Sequence, residues 1–135
     1  MKKVIISGLV VGVIFLILSI LIGFIISYLF PNIIMPYFDS AFSMQPDRIA
    51  FYYLHPFIIG LALSWFWTRF KETLKGSYIT RGVEFGLIYA AVAVFPMMWL
   101  IYSAMSISLA FITIWFLLAL LQAVIAGLIF EKMNP

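Results

Sequence analysis

From Val4 to Phe30 the chain runs 27 residues without a charged side chain, and this feature constrains the fold most. A helix rises about 1.5 Å per residue and the hydrocarbon core of a bilayer is about 30 Å thick, so the run is long enough to cross. Three more apolar runs follow: Ile49 to about Phe70, about Gly82 to Ser103, and about Ile107 to Phe130. Each is close to uniformly apolar around its circumference, whereas a helix lying on a membrane surface keeps one polar face. The expectation is an all-α integral membrane protein: four transmembrane helices in a compact bundle, one domain over residues 1–135, with the lipid bilayer as its first partner.

Composition closes off the soluble alternatives. The chain is 66% hydrophobic and only 10% charged, against about 25% charged in an average soluble domain, so too few charges remain to cover a water-soluble globule. The net charge of +3 does not indicate a nucleic-acid partner, because the basic residues sit at helix ends, where they orient the chain and meet anionic headgroups. With no cysteine, disulfides, thiol redox chemistry and thiolate metal sites are excluded.

Met1-Lys2-Lys3 before an apolar stretch resembles the start of a signal peptide, but that type of apolar region lasts about 7–15 residues. This one continues to Pro31 with no A-x-A site, which reads as an uncleaved helix. Lys2, Lys3, Arg69, Lys71, Lys75, Arg81 and Lys132 fall on one side of the four spans and Arg48 on the other. That asymmetry puts both termini and the middle loop in the cytoplasm, and the expected location is a prokaryotic cytoplasmic membrane. It also opposes insertion in both orientations, as found in small four-helix drug exporters, which carry a glutamate in the first helix that this chain lacks.

Small residues recur at helical spacing: Gly8, Gly12, Ser19, Gly23 and Ser27 in the first helix, Gly60 and Ser64 in the second, Gly82, Gly86 and Ala90 in the third, and Ala119, Ala123 and Gly127 in the fourth. Such stripes let backbones approach closely in lipid, where no hydrophobic force drives helices together, and they are read as helix–helix seams. Ser7–Phe15 also lies over Arg81–Tyr89 with both glycines in register. This predicts either two parallel-related hairpins, as in parallel repeats, or a coincidence between glycine-spaced helices. Trp65, Phe66, Trp67, Phe70 and Tyr78 are expected as an anchoring belt at the inner interface, with Tyr28, Trp99 and Tyr102 among those at the outer one. The loop from Pro31 to Pro46 holds three prolines and many apolar residues, and is expected to lie on the bundle, in the headgroup region or against a partner.

Polar groups inside spans are candidates for function because burying them costs free energy. His55 reads either as an interfacial histidine or as a weak candidate for a haem or quinone site. Gln122, roughly 15 Å from Lys132 at 1.5 Å per residue, reads as interhelical glue or as lining for a substrate path. Glu84 is expected to pair with Arg81 or Arg69, or else to couple protons. Pro96 is expected to kink the third helix and free the carbonyl of Val92. No exposed nucleophile stands beside a base, and no second histidine or paired acids suggest a metal. Neither enzyme activity nor a cofactor is expected. The primary reading is a non-enzymatic protein acting by helix–helix association, as a homo-oligomer or an accessory subunit of a larger membrane complex. The alternative is a transporter or channel for a small neutral or lipophilic substrate, using Glu84, Gln122 and Pro96. A haem or quinone binder through His55 comes third.

Overall fold

The structure, a computed structural model, describes residues 1–33 and 46–135. The expectation for the Pro31–Pro46 loop therefore lies almost wholly outside the described residues. Everything regular among them is helical: α1 (Lys2–Leu29), α2 (Ile49–Phe70, after a 3-10 turn at Pro46–Arg48), α3 (Tyr78–Tyr89), a π-helical turn (Ala90–Val94), α4 (Phe95–Ala104) and α5 (Leu109–Met133). These make four helical segments long and apolar enough to span a membrane, α3 and α4 forming one of them through the π turn.

Helix boundaries differ from the sequence reading by up to four residues, and two of the starts have a local cause. The third span begins at Tyr78, not near Gly82, because Ser77 caps it: the Ser77 hydroxyl accepts from the Thr80 N–H at 3.4 Å. A hydroxyl acceptor satisfies one of the orphan donors of a first turn, so the helix starts in the polar flank. The fourth begins at Leu109, not Ile107, for the same reason, with Ser108 accepting from the Phe111 N–H at 3.2 Å. Between α2 and α3 the chain reverses at Gly76, whose φ of +109° lies where a β-carbon is strained.

A π turn, Ala90–Val94, precedes Pro96. Proline has no N–H to donate and its ring excludes the carbonyl four residues back, here that of Val92. The span absorbs this by widening into the π turn just before the proline, with the Phe95 N–H reaching the carbonyl of Ala90 and the Ala90 N–H shared between Gly86 and Leu87. A single π turn inside an α-helix is a known way of accommodating such a mismatch.

The spans pack as two antiparallel hairpins, each closed by glycines. Gly60 of α2 lies against the carbonyl oxygen of Gly8 on α1, and a β-carbon built on Gly12 would stand 2.9 Å from the Cα of Phe57. In the second hairpin Gly127 of α5 lies against the carbonyl oxygen of Gly82 on α3, and a β-carbon on Gly86 would stand 2.7 Å from the Val124 nitrogen. Only glycine permits backbones this close, so dispersion and weak hydrogen bonds operate at full strength along both seams.

The hairpins meet at the end of the bundle that carries both termini. There Val11, Phe15, Leu63, Trp67, Leu74, Phe85, Ala126 and Phe130 form one buried cluster drawn from all four spans. At the opposite end a second cluster, Val94, Met98, Ile107 and Ile112, belongs to the second hairpin and the turn inside it. None of residues 16–30 or 46–55 is buried, so the far half of the first hairpin contributes to neither core.

Candidate functional site

The buried polar side chains Ser7, Ser64 and Asn134 lie in one layer at the end carrying both termini, just beyond the glycine seams. Ser7 on α1 and Ser64 on α2 share a buried hydroxyl–hydroxyl hydrogen bond of 2.7 Å. The Ser64 hydroxyl also lies 2.9 Å from the carbonyl of Val4, and that of Ser7 lies 2.7 Å from the carbonyl of Lys3. Serine on a helix commonly returns its proton to a carbonyl of the preceding turn. Here Ser64 reaches the other helix, locking the ends of α1 and α2 together.

In the second hairpin the same level holds an ion pair. Arg81 at the start of α3 donates through Nη1 to Glu131 Oε1 near the end of α5, at 2.5 Å. Its Nη2 donates to the carbonyl of Lys71 at 3.0 Å, and its guanidinium stands 5.7 Å from the Trp67 ring centroid. The two side chains are only 19% and 11% exposed. Arg81 Nε and Glu131 Oε2 are buried without a partner among the described residues. A pair this enclosed exchanges desolvation against attraction, and breaking it would leave a stranded charge.

Trp67 and Asn134 stitch the two hairpins together. The Trp67 indole donates to the carbonyl of Asn134 at 2.9 Å, Asn134 Nδ2 donates to the Thr68 hydroxyl at 3.1 Å, and Lys71 Nζ donates to Asn134 Oδ1 at 3.3 Å. Trp67 also packs edge-on to Phe85, ring centroids 5.2 Å apart. It is fully buried, which corrects the expectation that it belongs to an interfacial belt. Trp65 fits that belt better, being 56% exposed with the Arg69 guanidinium 5.3 Å from its ring.

The residues singled out from the sequence do not converge on one site. Glu84 pairs with neither Arg81 nor Arg69, correcting that expectation: Arg81 is taken by Glu131, and Glu84 is exposed in an open groove with Ile79, Thr80, Val83 and Leu87. Its position explains this, since Gly82, Phe85 and Gly86 hold the packed face of α3 and turn residue 84 outward. Gln122 donates from Nε2 to the Ser19 hydroxyl at 3.0 Å, linking α5 to α1. No hydrogen bond joins Glu84 to Gln122. His55 is exposed and makes no hydrogen bond among the described residues. Gly23 lies on no seam within the chain: among the described residues a β-carbon there would meet nothing within 4 Å. Ala90 and Ala123 are buried, and Ala119 is half-buried against the second cluster.

Sequence reasoning missed the Arg81–Glu131 pair and the buried indole. The usable signal for the pair was depth: Arg81 begins one span and Glu131 ends the next, so an antiparallel hairpin sets them level. Among the described residues no group of three or more histidine, cysteine, aspartate or glutamate side chains could hold a metal. The layer offers charge and hydrogen bonds, and its chemistry is that of a clamp across four helices. Compared with known protein families, curated proteins and solved structures, the chain matches none.

Proposed function

We propose that this chain is a membrane protein that works by helix–helix association, as a homo-oligomer or as an accessory subunit of a larger membrane complex. In this reading it sits in a prokaryotic cytoplasmic membrane as two parallel-oriented hairpins, with both termini in the cytoplasm. The basic side chains support that orientation, seven standing at the end carrying both termini against Arg48 at the other. The single observation that carries the reading is the far half of the first hairpin. None of residues 16–30 or 46–55 is buried, yet Gly23 and Ser27 continue the small-residue spacing beyond Ser19, which Gln122 holds, with open space at Gly23 among the described residues. Backbone left bare in this way suits another helix better than acyl chains.

Light scattering of the detergent-purified protein tests this directly. The expected particle contains more than one polypeptide, and Gly23→Leu reduces it to a single chain that stays folded. A monodisperse single chain, unchanged by Gly23→Leu, would sink the proposal. The transport reading finds less support, because Glu84 lies in an open groove without Gln122, which is bonded to Ser19, and the cofactor reading less again, because the exposed His55 side chain makes no hydrogen bond among the described residues.

A further inference from the structure

The two glycine seams superimpose residue by residue. A shift of 74 carries Gly8 onto Gly82 and Gly12 onto Gly86, while a shift of 67 carries Phe57, Gly60 and Leu61 onto Val124, Gly127 and Leu128. The contacts are carried with them. Leu61 closes on Gly8 as Leu128 closes on Gly82, and Phe57 closes on Gly12 as Val124 closes on Gly86. Gly60 meets the Gly8 carbonyl as Gly127 meets that of Gly82. The shifts differ because the equivalent positions are seven residues closer together in the second hairpin.

Two glycine-spaced helices can resemble one another by composition, so the seams are not sufficient. The polar layer supplies an independent observation. The same two shifts carry Ser7 onto Arg81 and Ser64 onto Glu131, and both pairs are bonded, one as hydroxyls at 2.7 Å and the other as an ion pair at 2.5 Å. Ser64 continues the small-residue spacing from Gly60, but no such rule selects Ser7, Arg81 or Glu131. The core obeys the shifts as well: Val11 and Phe85, and Leu63 and Phe130, are equivalent and lie in one cluster.

We infer that this chain consists of two copies of one helical hairpin, and that the surface between them is the interface of a fused dimer. The inference rests on the reading of the chain as two parallel hairpins and adds what specifies their fit. Sizes trade across the interface, Val11 against Phe85 and Leu63 against Phe130, while Trp67 answers Asn134. The first hairpin carries the larger residue only at the last of these positions. Each hairpin is therefore shaped for the other and not for a second copy of itself. The Ser7–Ser64 and Arg81–Glu131 positions are one site in two chemical versions, and a single ion pair serves the whole layer.

Exchange of those versions in the full chain tests equivalence. Ser7→Arg and Ser64→Glu are made singly and together, as are Arg81→Ser and Glu131→Ser, and thermal unfolding is followed in detergent. Each single change strands a charge and lowers the midpoint. Each double change is expected to recover at least roughly half of the summed loss of its two singles, as coupled neighbours do. Additive losses in both sets would overturn the inference. Additivity in the first set alone would also count against it, since the first hairpin would then not accept the second one's pair. Particle mass is read separately by light scattering, so failure of the association proposal and failure of the repeat give different results.

Discussion

Glu131 shows how one side chain depends on the fold around it. It ends a span, where an acid beside Lys132 looks like ordinary headgroup-level polarity, but α5 delivers it 2.5 Å from Arg81, 50 positions away in sequence. Replacing Glu131 by Gln leaves a half-buried guanidinium with a weaker partner, and the expected loss is up to about 3 kcal/mol, at the lower end for breaking an enclosed pair. Denaturant unfolding in detergent measures it. Replacing both partners by apolar residues, as in Arg81→Met with Glu131→Leu, is expected to cost less than Glu131→Gln, because no charge is stranded. Glu84→Gln is the control. It touches no charged partner, and its effect should stay within about 0.5 kcal/mol. If Glu84→Gln costs as much as Glu131→Gln, the assignment of the ion pair is wrong.

The elements divide into those written in local sequence and those set by packing. The existence and approximate span of each helix were legible, because apolar runs of that length have few alternatives. The starts of α3 and α5 were off by two to four residues, because hydropathy marks apolar runs and not caps: Ser77 caps α3 from the polar flank before its run, and Ser108 caps α5 from just inside its own. Gly60, Gly82 and Gly86 face a helix of the same chain and Gly23 does not, a difference that equal spacing cannot show. The π turn was not legible either. Proline announces a disrupted hydrogen bond, but whether the helix bends or widens depends on its neighbours. These distinctions give an ordered prediction for leucine scanning. Gly60→Leu and Gly127→Leu place side chains on the opposing glycine carbonyls, and each should cost at least the roughly 1–3 kcal/mol typical of overpacking. Gly23→Leu should leave the unfolding midpoint of the single chain unchanged. Equal losses at Gly60 and Gly23 would remove the basis for treating the seams as specific.

At the scale of the whole molecule, the two ends of the bundle are unlike. The end carrying both termini concentrates the shared core, the ion pair, the serine pair and the basic side chains, while the far end leaves half a hairpin without buried residues. A bundle clamped at one end and open at the other inserts in one orientation if the charges decide insertion. Positive side chains are retained on the cytoplasmic side, so Lys2, Lys3, Arg69, Lys71, Lys75, Arg81 and Lys132 predict that the clamped end faces the cytoplasm. The chain contains no cysteine, so single reporters can be placed without background. Ser77→Cys tests the turn between the hairpins and Ser40→Cys tests the connection between the first two spans. An impermeant thiol reagent added to sealed cells should modify Ser40→Cys and spare Ser77→Cys, and lysis should expose the second. Removing Lys71 and Lys75 while adding lysines around Ser40 should weaken the bias and allow some Ser77→Cys labelling from outside. If Ser77→Cys in the otherwise unchanged chain reacts in sealed cells, the charges do not set the topology, and the clamped end faces outward in at least part of the population.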